Sequence, residues 1–229
     1  MPRSARLLVP NCPHHIVQRG HNGNAVFVDE QDYQYYLENL KLFKSELGVK
    51  VYAWCLMTNH IHLILQPGDD VSELSKLMKR VSGRQSAYVN KLERRTGSLW
   101  EGRFKASPIQ RDEYLLPCVR YIEMNPVRAG MVLSPAEYQW SSYHERLNLS
   151  DRGLIELDEC YLGLATTSVK RIERYKSFLM DGVADKELKA LRESVNRNQL
   201  TGNNRFVDEI EKRIGIRVEK RGRGRPVKQ

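Results

Sequence analysis

The stretch that decides the fold is Asn59-His60-Ile61-His62-Leu63-Ile64-Leu65. It follows a second apolar run at residues 49–56, and the turn residues Thr58 and Asn59 separate the two. Short runs rich in β-branched and aromatic residues predict two strands joined by a tight hairpin. Because residues two apart on a strand share a face, His60 and His62 are predicted to project together. Two neighbouring imidazoles are half of a divalent metal site, or else two half-buried histidines that bind nothing.

The elements around this hairpin predict the topology. A strand at 14–19 and a helix capped by Asp29 and ended by Gly48 precede the hairpin. A helix that opens at Ser72 and a fourth strand at 99–106 follow it. The order strand, helix, strand, strand, helix, strand is that of the ferredoxin-like fold, an α+β class with an antiparallel sheet and two helices on one face. The strand with the two histidines is then one of the central pair.

A further helix is predicted from Asp112, its cap, to Asn125, where the following Pro126 ends it. Pro117 requires that this helix either begins late or is kinked. Tyr121 and Asn125 are four residues apart and share one helix face. An amide oxygen is a ligand for hard cations, and a phenol beside a metal ion is a nucleophile. The alternatives are a core tyrosine and a helix C-cap asparagine.

Composition narrows the function classes. The chain has 229 residues, 41% of them apolar, and a net charge of +9 with a pI near 9.4. Such a charge favours a polyanionic partner, first of all nucleic acid. The four cysteines form no Cys-x-x-Cys pair, which argues against a zinc knuckle or a disulfide framework and fits a reducing cytosol. No apolar run is long enough for a secretion signal or a membrane span, so the chain is predicted to be cytoplasmic, with no membrane partner.

Basic residues occur in three places that are candidate DNA contacts. On the helix that opens at Ser72, Lys76, Lys79, Arg80 and Arg84 lie off the apolar face, which indicates either a solvated surface or a phosphate track. Arg103 and Lys105 lie in the predicted fourth strand. From Arg217 to Gln229 there are six Lys or Arg and one Glu.

The tail divides into two predicted parts. Residues 149–215 contain three amphipathic helical patterns and form a helical C-terminal region, after a catalytic domain at 1–148. Residues 216–229 are a basic tail in which Arg221, Arg223 and Arg225 alternate with glycine before Pro226. That pattern is similar to an AT-hook, which enters a narrow minor groove. The alternative is a disordered segment that binds phosphates without selectivity.

Taken together, several motifs resemble one family. His60-Ile61-His62 and Tyr121-Ile122-Glu123-Met124-Asn125-Pro126-Val127-Arg128-Ala129-Gly130 are similar to the HUH single-tyrosine transposases. The closest resemblance is to the REP-associated tyrosine transposases, and it extends to Trp54–His60, Trp100–Phe104 and Tyr138–Tyr143. It covers about residues 7 to 148.

The resemblance implies a DNA-cleaving enzyme and the residues that serve it. Tyr121 would attack single-stranded DNA beside a hairpin-forming repeat and give a 5′-phosphotyrosine intermediate. His60, His62 and Asn125 would hold Mg²⁺ or Mn²⁺, although the insertion-sequence relatives have Gln in place of Asn. Because one phosphodiester replaces another, cleavage and rejoining would need no nucleotide cofactor.

Two other functions are consistent with the same residues. One is a domesticated DNA-binding protein that keeps the fold and no longer cuts. The other is a metal-dependent hydrolase that uses an activated water and leaves no covalent adduct. The glycines at 222 and 224 lack the strand and helix of a nucleotide-binding loop. Whether the chain acts as a monomer or a homodimer stays open.

Overall fold

A four-stranded antiparallel sheet forms the centre of the computed structural model, which describes residues 6–181, 185–215 and 218. The strands are β1 (His14–Arg19), β2 (Lys50–Met57), β3 (His60–Gln66) and β4 (Lys105–Pro108). Their order across the sheet is β2-β3-β1-β4, so β3 and β1 are central. This is the ferredoxin-like order, and the predicted fold class and the central position of the histidine strand are confirmed.

Nine α-helices are found in the part of the chain that is described. They are α1 (Glu30–Glu46), α2 (Ser72–Leu92), α3 (Arg111–Glu123), α4 (Asn125–Arg128), α5 (Tyr143–Arg146), α6 (Glu159–Leu162), α7 (Ser168–Met180), α8 (Asp185–Asn196) and α9 (Asn204–Ile214). Asp29 caps α1 as predicted, in a capping box with Asp32. Gly48 follows α1 with a φ of 62°, a left-handed conformation that glycine adopts without strain.

The helices cover both faces of the sheet, and strand alternation decides which side chain meets which helix. On one face, Gln18 of β1 accepts a hydrogen bond from Ser82 of α2 (2.6 Å). On the other face, His15 of β1 and His62 of β3 meet Tyr121 of α3. The helix that carries Tyr121 is therefore packed directly on the histidine face.

The fourth strand begins later than the sequence predicts. Backbone pairing with β1 covers residues 105–108, whereas Trp100 forms only an isolated bridge with Gly20. The carbonyl of Gly102 accepts a hydrogen bond from the Gln18 side chain (3.1 Å), and Gly102 lies outside the backbone pairing with β1. Leu99 and Trp100 are buried, which is why the apolar pattern gave a strand there.

The start of α3 also differs from the prediction. The helix begins at Arg111 with Gln110 in the cap position, so Asp112 lies in the first turn and is not the cap. An acidic residue in the first turn still favours the positive end of the helix dipole. Pro117 lies inside the helix, where it cannot donate the usual hydrogen bond to the carbonyl four residues earlier.

The hydrophobic core continues into the C-terminal helices. Leu154, Tyr161, Tyr175, Leu179 and Leu191 belong to the same buried cluster as the sheet. The predicted helical patterns in this region correspond to α7, α8 and α9. The boundary placed at residue 148 is therefore crossed by a shared core.

A buried charge network ties this region to α3. Glu123 accepts hydrogen bonds from Ser142 (2.6 Å), from Arg146 Nε (3.0 Å) and from the hydroxyl of Tyr175 (2.7 Å). The side chains of Glu123 and Arg146 are both 0% exposed.

Within the described residues, no helix has the length and apolar character to cross a membrane.

Candidate active site

An open cleft of about 790 Å³ lies beside the ends of the two central strands. Segments far apart in the chain form its walls, because the end of β1 lies beside the start of β3 in the antiparallel sheet, with Arg19 opposite His60. The lining residues are Val17, Gln18, Arg19, Asn59, His60, His62, Glu101, Gly102, Arg103, Lys105, Tyr121, Arg192 and Asn196. The two predicted histidines and the predicted nucleophile are thus brought to one cleft.

His60 and His62 project together as strand alternation predicts, with ring centroids 5.1 Å apart. Nδ1 of His60 lies 2.6 Å from Oδ1 of Asn59, and an amide oxygen can only accept. The proton of His60 is therefore on Nδ1, and the lone pair is on Nε2. Asn59 is itself fixed, since its Nδ2 donates to the carbonyl of Gly23 (3.0 Å).

His62 is held by another histidine. Its Nδ1 lies 2.9 Å from Nε2 of His15, and the two rings stack with centroids 5.2 Å apart. When His62 donates this hydrogen bond, its Nε2 keeps a free lone pair. Partners of this kind orient metal-binding histidines and fix their tautomer.

Burial keeps these imidazoles neutral. It lowers the pKa of His60 to about 4, assisted by the charge of Arg19. Burial also lowers the pKa of His62 well below its usual value, and His15, His60, Arg128 and Arg192 add to the effect. A metal binds only the unprotonated imidazole, so both side chains are in the required state at neutral pH.

Tyr121 packs edge-on against the histidines and is almost fully buried. Its ring centroid is 5.8 Å from that of His62 and 5.7 Å from that of His15. The guanidinium carbon of Arg128 lies 4.1 Å from the centre of the Tyr121 ring. A cation in this position favours negative charge on the phenol oxygen.

Asn125 lies one turn further on, at the start of α4, and is buried. Its Oδ1 accepts a hydrogen bond from Nη2 of Arg128 at 2.5 Å. Asn125 is not among the described residues that line the cleft. A carbonyl oxygen has two lone pairs, so the contact with Arg128 leaves one for another partner.

The donor set partly fits a divalent ion. His60 and His62 present neutral imidazoles, and Asn125, one helical turn after Tyr121, has an amide oxygen. Among the described residues, no group of three or more His, Cys, Asp or Glu is arranged to hold a metal. Two imidazoles and one amide oxygen would leave further coordination positions of a divalent ion to other ligands.

The predicted DNA contacts separate into different surfaces. Arg103 and Lys105 line the cleft. Arg80 and Arg84 lie instead in a groove between α1 and α2, where Arg80 pairs with Glu46 (2.5 Å). The predicted contacts Arg221, Arg223 and Arg225 fall outside the residues that the structure describes.

Several residues that line the cleft or contact its side chains were not identified from the sequence. Their positions depend on strand register and on helix packing. They are His15, Arg19, Asn59, Arg128 and Arg192. The sequence carries a weak signal for Arg128 only, which follows Tyr121 by seven residues, a spacing that places two residues on one helix face.

Comparison with known proteins identifies sequences that are similar to this chain. Residues 8–125 match the family model described as "Transposase IS200 like". A Haemophilus influenzae protein whose name assigns it to the REP-associated tyrosine transposases is 30% identical over 101 residues, which are 40% of this chain and 57% of the relative. The chain thus matches little more than half the length of that relative.

A solved structure supports the fold. The structure of a REP-associated tyrosine transposase bound to a REP hairpin aligns with a TM-score of 0.57 at 19% identity, over 69% of this chain and 90% of the other. The family match covers more than half of the 229 residues, and it includes both histidines and Tyr121. The chain therefore belongs to the IS200-like transposase family, whose members are tyrosine transposases that cleave and transfer DNA strands.

Proposed function

We propose that this protein cleaves and rejoins single-stranded DNA at hairpin-forming repeats, with Tyr121 as the nucleophile. The observation that carries the proposal is that Tyr121, His60 and His62 line one basic cleft, although Tyr121 lies about 60 residues from the histidines. The hairpin part of the proposal comes from the solved relative, which is bound to a REP hairpin.

The chemistry exchanges one phosphodiester for another. The phenol oxygen of Tyr121 forms a bond to the phosphorus, and the bond from phosphorus to the 3′-oxygen breaks. The phenol loses a proton and the leaving 3′-oxygen gains one, so the products are a 5′-phosphotyrosine and a 3′-hydroxyl. Arg128, above the ring, favours the charge that develops on the phenol oxygen. Attack by a 3′-hydroxyl on the same phosphorus reverses the step and rejoins DNA.

His60 and His62, with Asn125 as third ligand, are the residues that would hold Mg²⁺ or Mn²⁺. When bound there, a divalent ion would polarise the phosphate oxygens of the linkage that is cut. The support for this assignment is that Asn59 and His15 contact the Nδ1 atoms of the two histidines, so that each Nε2 can keep its lone pair for an ion. Asn125 can act as a metal ligand if one lone pair of its Oδ1 binds the ion while the other accepts the hydrogen bond from Arg128.

The DNA contacts follow from where the cations lie. Arg103 and Lys105 in the cleft would bind the backbone of the single strand that is cut. Arg80 and Arg84, in their separate groove, would bind a second segment of the same DNA. Arg221, Arg223 and Arg225 in the basic tail would add contacts to the duplex part of a hairpin.

A denaturing gel with a labelled hairpin oligonucleotide and Mn²⁺ or Mg²⁺ tests the proposal. The oligonucleotide carries the repeat that neighbours the coding sequence. Wild type is expected to give a slow-migrating covalent adduct that Tyr121→Phe and His62→Ala both lose. Tyr114→Phe is the matched control, because Tyr114 lies on the same helix and does not line the cleft.

Other outcomes would support the alternative functions. Cleavage without an adduct that persists in Tyr121→Phe would show a hydrolase that uses the same histidines. Tight binding without any cleavage would show a DNA-binding protein that has lost the reaction. Asn125→Ala, tested by Mn²⁺ titration, should weaken metal binding, and an unchanged affinity would remove Asn125 from the ligand set.

A further inference from the structure

Helix α8 forms one wall of the cleft, although it lies far outside residues 8–125 that define the family match. Two of its side chains, Arg192 and Asn196, line the cleft together with His60, His62 and Tyr121. They are four residues apart, which places them on one face of the helix. The wall is therefore supplied by the C-terminal region and not by the family's core domain.

The position of α8 is fixed by contacts with the sheet. Its apolar face is buried through Leu191 and Val195, which are 1% and 3% exposed. Asn196 accepts a hydrogen bond from Lys105 Nζ (3.0 Å) at the edge strand β4. Just beyond the helix, Asn198 accepts one from the backbone N–H of Ala106 (3.0 Å). Arg192 is thus held on a packed element at the cleft and not on a mobile loop.

The charges in the cleft favour the binding of an anion. Arg19, Arg103, Lys105 and Arg192 come from three separate segments, and Glu101 is the only carboxylate among the lining residues that are described. Among the described residues, no carboxylate forms an ion pair with Arg192. Arg197, the residue that follows α8, is paired with Glu193 of that helix (3.7 Å) and does not line the cleft. Cations that converge on one cleft repel one another, and a phosphate that lies between them relieves this repulsion.

We infer that Arg192 of α8 binds the phosphodiester that Tyr121 attacks, so that the C-terminal region completes the active site. The inference rests on the proposed function, since it names a further residue of the same reaction. A guanidinium can donate two parallel hydrogen bonds to a phosphate and stabilise the charge that develops on its oxygens during transfer. Arg192 is exposed in the cleft, so this role needs no rearrangement of the core.

The first test compares Arg192→Ala with its matched control Arg197→Ala. Single-turnover adduct formation should slow by about 10²-fold or more in Arg192→Ala, as on removal of an oxyanion-stabilising donor. Arg192→Lys should recover only part of the rate, because the lysine ammonium keeps the positive charge but cannot donate the two parallel hydrogen bonds of a guanidinium. Arg197→Ala should stay close to wild type. Equal rates for Arg192→Ala and Arg197→Ala would overturn the inference.

The second test needs no cleavage. Binding of oligonucleotides is measured by fluorescence anisotropy with Tyr121→Phe as the parent, and each linkage in turn is replaced by a neutral methylphosphonate. Arg192→Ala should lower the affinity for the unmodified oligonucleotide. The same substitution should have no effect when the phosphate that Arg192 contacts, or the one next to it, has been made neutral. The salt dependence should fall by about 0.7 in slope for the one lost phosphate contact. If no linkage shows this coupling, Arg192 does not bind phosphate.

The two tests separate this inference from the proposed function. A wild type that forms no adduct contradicts the transesterase, and the methylphosphonate series still decides whether Arg192 contacts the DNA backbone. Arg192→Ala should unfold at the same temperature as wild type, because an exposed cation without a partner contributes little to stability. A lower melting temperature in Arg192→Ala alone, with unchanged coupling, would assign the residue a structural role and overturn the inference.

Discussion

Nε2 of His15 lies 2.9 Å from Nδ1 of His62, which makes His15 the residue that orients one of the two metal-binding candidates. The contact is diagonal across the central strands, since His62 is directly opposite Val17 and His15 is directly opposite Ile64. All of these side chains share one face of the sheet. The register of β1 against β3 therefore places His15 where it contacts Nδ1 of His62.

His15→Ala should weaken Mn²⁺ binding by about 10- to 100-fold, the usual cost of losing a partner that orients a ligand histidine. His15→Gln should lose less Mn²⁺ affinity, because the glutamine amide oxygen can still accept a hydrogen bond from Nδ1 of His62. Isothermal titration of the protein with Mn²⁺ gives both values. His21→Ala is the control, because His21 is exposed in the turn after β1. Affinity within twofold of wild type in a folded His15→Ala would show that His62 needs no orienting partner.

Asn59 should act on the other histidine in the same way. Its Oδ1 accepts the Nδ1 proton of His60 at 2.6 Å, so Asn59→Ala frees both ring nitrogens to exchange the proton. We expect a loss of Mn²⁺ affinity of about tenfold. Asn59→Ala combined with His15→Ala should lose more than either alone. The idea fails if Asn59→Ala binds Mn²⁺ as wild type does.

The network around Glu123 should dominate the stability of the packing between α3 and the C-terminal helices. Glu123 and Arg146 are completely buried and joined at 3.0 Å. Removing one partner leaves a buried charge uncompensated, so Arg146→Leu should lower the free energy of unfolding by about 3–5 kcal/mol. Urea denaturation gives the value.

Two further variants calibrate that result. Tyr175→Phe removes one hydrogen bond to the Glu123 carboxylate and should cost about 1.5–3 kcal/mol. Arg197→Ala breaks an exposed ion pair and should change the free energy of unfolding by less than about 1 kcal/mol. A loss below 1 kcal/mol for Arg146→Leu would show that the network does not hold these elements together.

Acid should destabilise the fold through a histidine that lies outside the cleft. Burial lowers the pKa of His14 to about 4, and its Nε2 accepts a hydrogen bond from the backbone N–H of Val9 (3.0 Å). The unfolded chain binds the proton near pH 6.5, so the stabilising effect is complete above that pH and is lost as the pH falls towards 4. At pH 5.5 the loss amounts to about 1.4 kcal/mol for this one group.

Urea denaturation at pH 7.5 and pH 5.5, with a chelator present, measures this loss. His14→Gln should show a difference between the two pH values that is smaller by about 1.4 kcal/mol than in wild type. His21→Gln serves as the control, and it should leave the pH dependence unchanged. An identical pH dependence in His14→Gln and wild type would mean that His14 is not held neutral by burial.

The sequence by itself determined the sheet and the shared direction of the two histidines. Both follow from local patterns, because alternation with a period of two fixes the face of each strand residue and the order of elements restricts the topology. The assignment of Tyr121 came from the family motif. The fourth strand was placed too early because Leu99 and Trp100 are buried as strand residues are, although regular backbone pairing with β1 begins only at Lys105.

Only the tertiary structure decided which other residues join the site. His15 reaches His62 through the strand register, and Arg192 reaches the cleft because Leu191 and Val195 bury α8 against the sheet about 130 residues after the histidines. Neither relationship leaves a periodic signal, since a register and a helix docking position depend on contacts between distant segments. Local chemistry therefore specified the two imidazoles and the sheet beneath them, and long-range packing specified the partners that orient them and the cations that surround them.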